Sequence, residues 1–391
     1  MSVPNKIKQS SLLSVLPDAI IFHEVLIRLP LKSLARFRYV CKSWKSVLCD
    51  PNFMQPLLNQ SISQNPNDEY LIRTWPGGVA ILSRTDLCES PVENIPYSAP
   101  CPDYLRMVGS INGLVCFARL SEPRLCFILW NPALNLSKQI LLLPEHCCNP
   151  NNRYCYRVGF SWDSVANDYK LIAVCTWWTC IKKPGFVYSS RTNCWSNLAD
   201  PLHVDGLRFP SVIVKGIPYW TCLKLTVILK FEARNNQFTS FTVSRNVGKR
   251  YSLVNLNDCL ARIEFTVGKT DSMDVYQHDE ENNIWCKMLR VNFTENHILS
   301  SPTCFKYGGE IVFNGSFYLT DSKAIKIKRL AYEKNINSDI HGYTYTPSLV
   351  VLEGMEPIQL PQGGEVDPEV ISLLEQKVHR LTTILVGNRH P

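Results

Sequence analysis

Two short motifs in this 391-residue sequence have residue types and spacings that could support catalysis. Gly159, Ser161 and Asp163 alternate as in a nucleophile elbow, but the second glycine that the sharp strand-to-helix turn needs is missing. Residues 267–270 end like a phosphate-binding loop, yet Ile263 stands where the first glycine is required. The pattern around Ser161 is therefore interpreted as a strand that enters a turn.

Cysteine is the other potential nucleophile, and the sequence contains 16 copies. Cys155, Cys194 and Cys259 are candidate thiols, but a reactive thiol needs an electropositive, partly exposed setting and a nearby base. The sequence shows no such setting, and it contains no Cys-x-x-Cys pair of the kind that zinc sites use. We therefore predict a protein that is not an enzyme and that holds no metal and no other cofactor.

Composition places the chain among globular proteins long enough for two or three domains, since 45% of the residues are hydrophobic. Pro17 and Asp18 interrupt the apolar run near the start, so no signal peptide is predicted. No run approaches the 18 or more apolar residues of a membrane span. We expect a soluble protein of the cytoplasm or nucleus, without membrane contact. A net charge of +7 is too small to indicate nucleic-acid binding.

Residues 16–53 predict three short helices. The first places three apolar residues on one face and ends at Pro30; they are Ile21, Val25 and Leu29. The second is predicted to carry one apolar stripe, formed by Leu34, Phe37, Val40, Cys41 and Trp44. The third opens at Asp50 and Pro51 and contains Phe53. So small a unit cannot bury a self-sufficient core, so it is predicted to be half of an interface.

The helical unit is also basic, with six positive and three negative residues between positions 16 and 53. This net charge of +3 fits either an acidic partner surface or an ordinary solvated helix face.

Residues 24–30 and 32–44 resemble the F-box motif, particularly its plant form. The two Leu-Pro pairs, at Leu16 and Leu29, stand 13 residues apart, one more than in the family pattern. The resemblance implies docking on a Skp-family adaptor, and through it on a cullin. The implied adaptor-binding residues are Leu16, Pro17, Ile21, Val25, Leu29, Pro30, Leu34, Phe37, Val40, Cys41 and Trp44. The alternative is a helical hairpin that packs only on its own protein.

From Tyr70 onward, short apolar runs separated by polar turns predict an all-β domain. Three hairpins look alike: an aromatic third strand, a polar turn and an aromatic fourth strand. Their third strands end at Tyr188, Phe231 and Tyr276, so the repeat is 43 and then 45 residues, which fits the blades of a kelch-like β-propeller. Further turns are predicted before strands at Asn112-Gly113, Lys215-Gly216 and Asn314-Gly315.

The same region resembles the C-terminal F-box-associated interaction domain of plant F-box proteins. The resemblance rests on the order of six short runs: 110–116, 129–133, 159–164, 167–171, 187–190 and 216–220. It implies a propeller-like domain that binds a target. We therefore predict an α+β multidomain fold: an N-terminal three-helix F-box, then an all-β, kelch-like propeller, and a C-terminal helix that the apolar spacing after Pro368 indicates.

The predicted boundaries are a disordered start at 1–11, the F-box at 12–56, a linker at 57–69, the β domain at 70–362 and a C-terminal helix and tail at 363–391. That helix has a heptad-like stripe that fits either packing back on the protein or dimerisation.

The two resemblances together imply a substrate-recognition subunit of a Skp-cullin-F-box E3 ubiquitin ligase, which bridges an adaptor to an unknown target protein. The target-binding residues are not predicted; Trp177 and Trp178 are candidates only. The alternatives are a β-propeller enzyme or small-molecule-binding protein with a merely structural helical module, and an F-box protein that works outside ubiquitination.

Overall fold

The fold is taken from a computed structural model of the chain. The structure describes residues 26, 29, 31–38, 42–48, 53, 70–75, 78–83, 105–121, 124–142, 156–175, 184–198, 207, 211–222, 226–244, 248–266, 269–298, 302–304, 311–313, 316–317 and 341–358. The predicted C-terminal helix, Cys155, Trp177 and Trp178 lie outside these residues.

Two helices are described in the N-terminal part: α1 (Leu31–Phe37) and α2 (Lys42–Leu48). The prediction of one helix carrying the stripe from Leu34 to Trp44 was therefore wrong, because a turn at Arg38 follows α1. The break has a physical reason. A straight helix would set Leu34 and Leu48 about 21 Å apart, whereas both side chains belong to one buried cluster.

The rest of the described chain is antiparallel β-structure, as predicted, in six sheets. The first contains β1 (Tyr70–Trp75), β2 (Gly78–Ser83) and β22 (His341–Tyr345). The second contains β3 (Leu105–Ile111), β4 (Leu114–Ser121), β5 (Arg124–Asn131), β6 (Leu136–Leu142) and β23 (Glu356–Pro357). The third contains β7 (Tyr156–Asp163), β8 (Asp168–Cys175), β9 (Gly185–Ser189) and β10 (Cys194–Asn197).

The remaining three sheets follow in chain order. The fourth contains β11 (Val212–Val214), β12 (Ile217–Thr221), β13 (Val227–Glu232) and β14 (Gln237–Thr242). The fifth contains β15 (Lys249–Leu256), β16 (Cys259–Thr266), β17 (Lys269–Asp279) and β18 (Ile284–Ile298). The sixth contains β19 (Pro302–Cys304), β20 (Ile311–Phe313) and β21 (Ser316–Phe317).

The six sheets contact one another in a ring. Contacts run from β22 to β3, from β3 to β7, from β7 to β12, from β11 to β15, from β15 to β19 and from β19 back to β22. The ring is closed by β22, which comes late in the chain and pairs with β1. Sheets arranged radially in this way are the blades of a β-propeller.

The three hairpins predicted to repeat occupy the same place in three blades. They are formed by β9 and β10, by β13 and β14, and by β17 and β18, the third and fourth strands of their sheets. Each turn ends in an asparagine with positive φ: Asn193, Asn236 and Asn283. Asparagine tolerates this left-handed conformation better than most residues, which explains the polar, Asn-containing turns of the repeat.

The two-residue turns behave as predicted at Asn112-Gly113 and Lys215-Gly216, where both residues have positive φ. Such φ pairs match the twist of a hairpin. Asn257-Asp258 makes an equivalent turn that sequence reasoning missed, because it lacks glycine. Asn314-Gly315 lies outside the described residues.

Candidate functional site

The helical module packs against the β domain of its own chain. Four of its apolar side chains are at most 3% exposed, and they form one cluster with Leu349 of the β domain; they are Leu26, Leu34, Leu48 and Phe53. Leu134, from the turn between β5 and β6, and Val350 pack on the same cluster. The module therefore shares its buried core with β-domain residues. A unit of this size could not bury a sufficient core by itself.

The predicted adaptor-binding residues divide into three groups in the structure. Leu34 is fully buried in the cluster, and Leu29 and Phe37 are half-buried against it. Trp44 lies in α2, but its side chain is outside the described set. The others also lie outside the described residues: Leu16, Pro17, Ile21, Val25, Pro30, Val40 and Cys41.

Three basic side chains are exposed among the described residues of the module. The side chains of Arg36, Lys42 and Lys45 are exposed, whereas Arg38 is 9% exposed and buried. A positive outer surface over an apolar inner face is suited to steering an acidic partner toward the helices.

The segment after β22, residues 346–358, lies between the module and the second sheet, and we call it the C-terminal strap. Asn131, which is fully buried at the end of β5, donates through Nδ2 to the carbonyl oxygens of Ser348 at 3.1 Å and Val350 at 2.7 Å. Its Oδ1 accepts the backbone N–H of Leu134 at 3.3 Å. The Asn131 side chain thus holds in place both the strap and the β5–β6 turn, the two segments that pack against the module.

The second sheet also holds the strap at further points along its length. Ser348 Oγ donates to the Asn112 carbonyl at 2.6 Å, and Lys138 Nζ donates to the Glu353 carbonyl at 2.6 Å. The short strand β23 then pairs with β6. The strap is therefore an ordered part of the propeller rather than a loose tail.

Gly113→Ala tests the contact between the strap and the β3–β4 turn. At φ +77°, a Cβ on residue 113 would collide with the side chain and backbone of Ser348. Gly248 has a similar φ of +83°, but no atom lies within 4 Å of a Cβ placed there. Both substitutions carry backbone strain of about 1 kcal/mol, and the collision should add about 2 kcal/mol to Gly113→Ala alone. If denaturant unfolding shows equal losses of the free energy of unfolding for the Gly113 and Gly248 variants, the contact between Gly113 and Ser348 is contradicted.

The motifs that carried the resemblance form joints between and within blades. Ser161 Oγ and the backbone N–H of Trp162 both donate to the Gly216 carbonyl, at 2.9 and 3.0 Å. Trp220 packs so closely on Gly159 that a Cβ there would collide with the indole ring. The predicted strand around Ser161 is confirmed as β7, and its hydroxyl bonds to a neighbouring blade.

Within the third sheet, Asp168 organises the turn after β9. Its carboxylate accepts the hydroxyls of Ser189 at 2.6 Å and Ser190 at 3.1 Å, and the backbone N–H of Arg191 at 3.0 Å. Burial raises the pKa of the neighbouring Tyr169 to about 12, an effect that the Asn112 amide on its hydroxyl opposes. Tyr169 is therefore a neutral structural phenol at physiological pH.

Two of the candidate thiols lie in the described residues, on different sheets. Cys194 is exposed on β10, and Cys259 is half-buried on β16. His278 is stacked on Phe241 and its Nε2 lies 3.1 Å from Asn283 Oδ1. Within the described part of the chain, no group of three His, Cys, Asp or Glu residues could hold a metal ion. No described helix has the length and apolarity to cross a membrane.

Fold and site together define a β-propeller protein with an N-terminal helical module packed on the propeller. Residues 13–55 match the F-box domain and residues 79–329 match the F-box associated beta propeller domain, so the chain belongs to this F-box protein family. The β domain follows the F-box, but its match ends at residue 329. The prediction of a C-terminal domain was thus only partly right, although β22 and β23 complete its sheets.

Relatives in Arabidopsis thaliana are named as F-box proteins. An F-box/kelch-repeat protein is 26% identical over 290 residues, covering 68% of this chain and 77% of the relative. An F-box protein is 23% identical over 303 residues, covering 73% and 72%. Among solved structures, one from a nidogen/laminin complex overlaps with a TM-score of 0.44 at 11% identity, covering 71% of this chain and 98% of that chain.

Sequence reasoning missed the residues that join the two parts. Asn131 entered the sequence prediction only as a member of the run 129–133. An asparagine before proline at the end of an apolar strand is nevertheless a recognisable turn signal. Ser348 and Leu349 carry no sequence signal, because their importance comes from a contact with residues more than 200 positions earlier.

Proposed function

We propose that this chain is the substrate-recognition subunit of a Skp-cullin-F-box E3 ubiquitin ligase. Its F-box, as a three-helix unit, binds a Skp-family adaptor and through it a cullin, and its kelch-like propeller binds a target protein. The observation that best supports this proposal is the buried cluster in which Leu34, Leu48 and Leu349 join the module to the propeller.

That cluster matters because ubiquitin transfer in such a complex depends on position. Holding a target lysine near a charged ubiquitin-conjugating enzyme makes their encounter effectively intramolecular. A module on a flexible tether would spread the target over many positions, whereas a packed module holds it at one. The chain itself is not an enzyme in this proposal, and it works in the cytoplasm or nucleus.

The predicted adaptor-binding residues have different roles. Leu34 positions the helices from inside, and Leu29 and Phe37 line the edge of the cluster. The remaining residues of the set contact the adaptor. The C-terminal helix predicted after residue 363 packs back on the protein.

The test is the affinity of the purified chain for a plant Skp-family adaptor, beside a chain that starts at Tyr70. The intact chain should bind and the shortened chain should not, while the buried Trp130 and Trp220 report that the propeller stays folded. Equal binding by both chains, or no binding by the intact chain, would overturn the proposal.

A finer variant tests the basic face. Lys42→Glu with Lys45→Glu should weaken adaptor binding by about tenfold, mainly through slower association at low salt. Both lysines are exposed, so thermal stability should not change. The matched control is Arg191→Glu with Arg234→Glu, which makes the same charge change in exposed turns of the propeller. Equal effects of the two pairs would show that only total charge matters.

A further inference from the structure

Strand β18 is a long, open edge of the fifth sheet. It runs from Ile284 to Ile298 and pairs with β17 on one side; no described strand pairs with its other side. The corresponding fourth strands β10 and β14 have four and six residues, and the outer side of β6 is covered by β23. An open edge of this length offers a row of backbone N–H and C=O groups to another chain.

The same strand exposes apolar side chains. Five large hydrophobic residues are exposed among the described residues, and three of them, Ile284, Met288 and Leu289, lie on β18. Met288 is the extra residue of a β-bulge, because Lys287 faces Tyr276 and Leu289 faces the next residue, Val275. Concentration of exposed apolar residues on one edge is typical of an interaction surface.

The two faces of β18 differ in chemistry. Ile284, Cys286 and Leu289 share one face. Trp285, Lys287 and Arg290 share the other, beside His278, Tyr276 and Asp274 of β17. An extended segment added to this edge would therefore meet apolar side chains on one face and cations on the other.

The cationic face is built around one buried carboxylate. Asp274 accepts Arg290 Nε at 2.7 Å and Arg290 Nη2 at 2.9 Å, Lys287 Nζ at 2.7 Å and Lys249 Nζ at 2.9 Å. These hydrogen bonds, with Arg290 the strongest influence, hold the pKa of the Asp274 carboxyl far below its usual range. Asp274 is thus ionised and fixes the directions of three cations.

Three cations of the cluster share one carboxylate. Arg262, stacked between Tyr276 and Trp285, lies 3.1 Å from Glu264. Lys249, Lys287 and Arg290 all bond to Asp274. The Lys287 and Arg290 side chains are 44% and 51% exposed, whereas Asp274 is 3% exposed. Solvent therefore meets the cations and not the carboxylate.

We propose that the β18 edge binds an extended segment of a partner protein, alternating acidic and apolar residues, by strand addition. Its acidic side chains pair with Lys287 and Arg290, and its apolar side chains cover Ile284 and Leu289. The idea that this partner is a ubiquitination target rests on the proposed function. The binding of an acidic and apolar strand to β18 does not depend on it.

A protein strand fits this edge better than the other occupants. A second copy of β18 would bring Lys287 and Arg290 against like charges, and the bulge interrupts regular pairing. A nucleic acid would leave Ile284, Met288 and Leu289 exposed. The Trp285 ring, already packed on Arg262 and His278, is not open for base stacking.

The experiment titrates the full-length chain with an eight-residue peptide of alternating glutamate and valine. Controls are the same peptide with alternate backbone nitrogens methylated, a lysine-valine peptide and a single-stranded oligonucleotide. The glutamate-valine peptide should bind, more weakly at high salt, and should slow hydrogen exchange of amides in residues 284–290. The control ligands should not bind. Equal binding of the methylated peptide or tighter binding of the oligonucleotide would overturn the proposal. Protection, before peptide is added, of those amides in residues 284–290 that point away from β17 would also overturn it.

Protein variants complete the test. Lys287→Gln with Arg290→Gln should weaken peptide binding by about tenfold or more. The control Lys230→Gln removes a strand lysine that pairs with Glu232 at 3.1 Å in another blade, and it should change nothing. An unchanged affinity of the Lys287 and Arg290 variant would refute the site. Adaptor binding is measured on the same samples: its absence overturns the proposed ligase role, and absence of peptide binding alone overturns only the β18 assignment.

Discussion

Leu349→Asp is expected to release the helical module from the propeller. Leu349 is 1% exposed and is the buried β-domain member of the cluster that includes Leu34 and Leu48. A carboxylate placed there has no polar partner among the apolar side chains of that cluster, which should cost about 4 kcal/mol. That is roughly a thousandfold shift toward the released module.

The released module should bind its adaptor poorly. Its helices alone cannot bury a sufficient core, so only the fraction that is folded is competent to bind, and the apparent affinity falls by that fraction. We expect hydrogen exchange in α1 and α2 to accelerate and adaptor affinity to fall at least tenfold, while the melting transition of the propeller persists.

Val165→Asp is the control for Leu349→Asp. Val165 is 73% exposed in the turn after β7, so the same carboxylate should leave exchange and affinity unchanged. If Leu349→Asp keeps full adaptor affinity, then the F-box folds without the propeller, and the buried cluster has no part in positioning it.

The second large effect is expected for Asn131→Asp. The two side chains have nearly the same shape, but at neutral pH the new carboxylate cannot donate to the Ser348 and Val350 carbonyls. A buried charge would face two carbonyl oxygens, at a cost of about 4 kcal/mol. The free energy of unfolding should fall by this amount, and the strap should become sensitive to proteolysis.

The pH dependence of this variant has a definite sign. Burial would raise the pKa of the introduced carboxyl above its value in the unfolded chain. The protonated acid can donate one hydrogen bond, so the variant's stability is greatest below the unfolded pKa and is lost as the pH rises through the raised one. The difference in free energy of unfolding between the variant and the natural protein should therefore be smaller at acidic pH.

Asn135→Asp makes the same change four residues later and serves as its control. Asn135 is exposed, with a φ of 53° that aspartate also tolerates. It should cost little at any pH. A similar loss for both variants would mean that the strap contacts of Asn131 contribute nothing specific.

Local patterns in the sequence predicted much of the propeller. Alternating apolar runs, the recurrence ending at Tyr188, Phe231 and Tyr276, and the turn at Asn112-Gly113 are short-range features that depend on period-two side-chain geometry and on residues that accept positive φ. The structure placed them as the third and fourth strands of three blades and as a two-residue hairpin. The family assignment of both parts of the chain followed from the same kind of local order.

The helical stripe shows where local reasoning fails. The spacing of apolar residues alone predicted one helix from Leu34 to Trp44. Periodicity indicates which residues share a helix face, but it does not indicate what packs against that face. The structure ends α1 at Phe37, and Leu34 and Leu48 then share a cluster with Leu349.

The sequence by itself determined that the chain has an F-box-like helical start followed by repeated antiparallel blades. Only the tertiary structure decided how the two are joined and which long strand lies at a sheet edge without a further described strand beside it. The ring closes because β22 pairs with β1, the F-box sits on Leu349 because Asn131 fixes the strap, and β18 carries a cationic face because Asp274 is buried behind it. Each of these contacts joins residues distant in sequence or depends on burial, and neither property is written in the spacing of neighbouring residues.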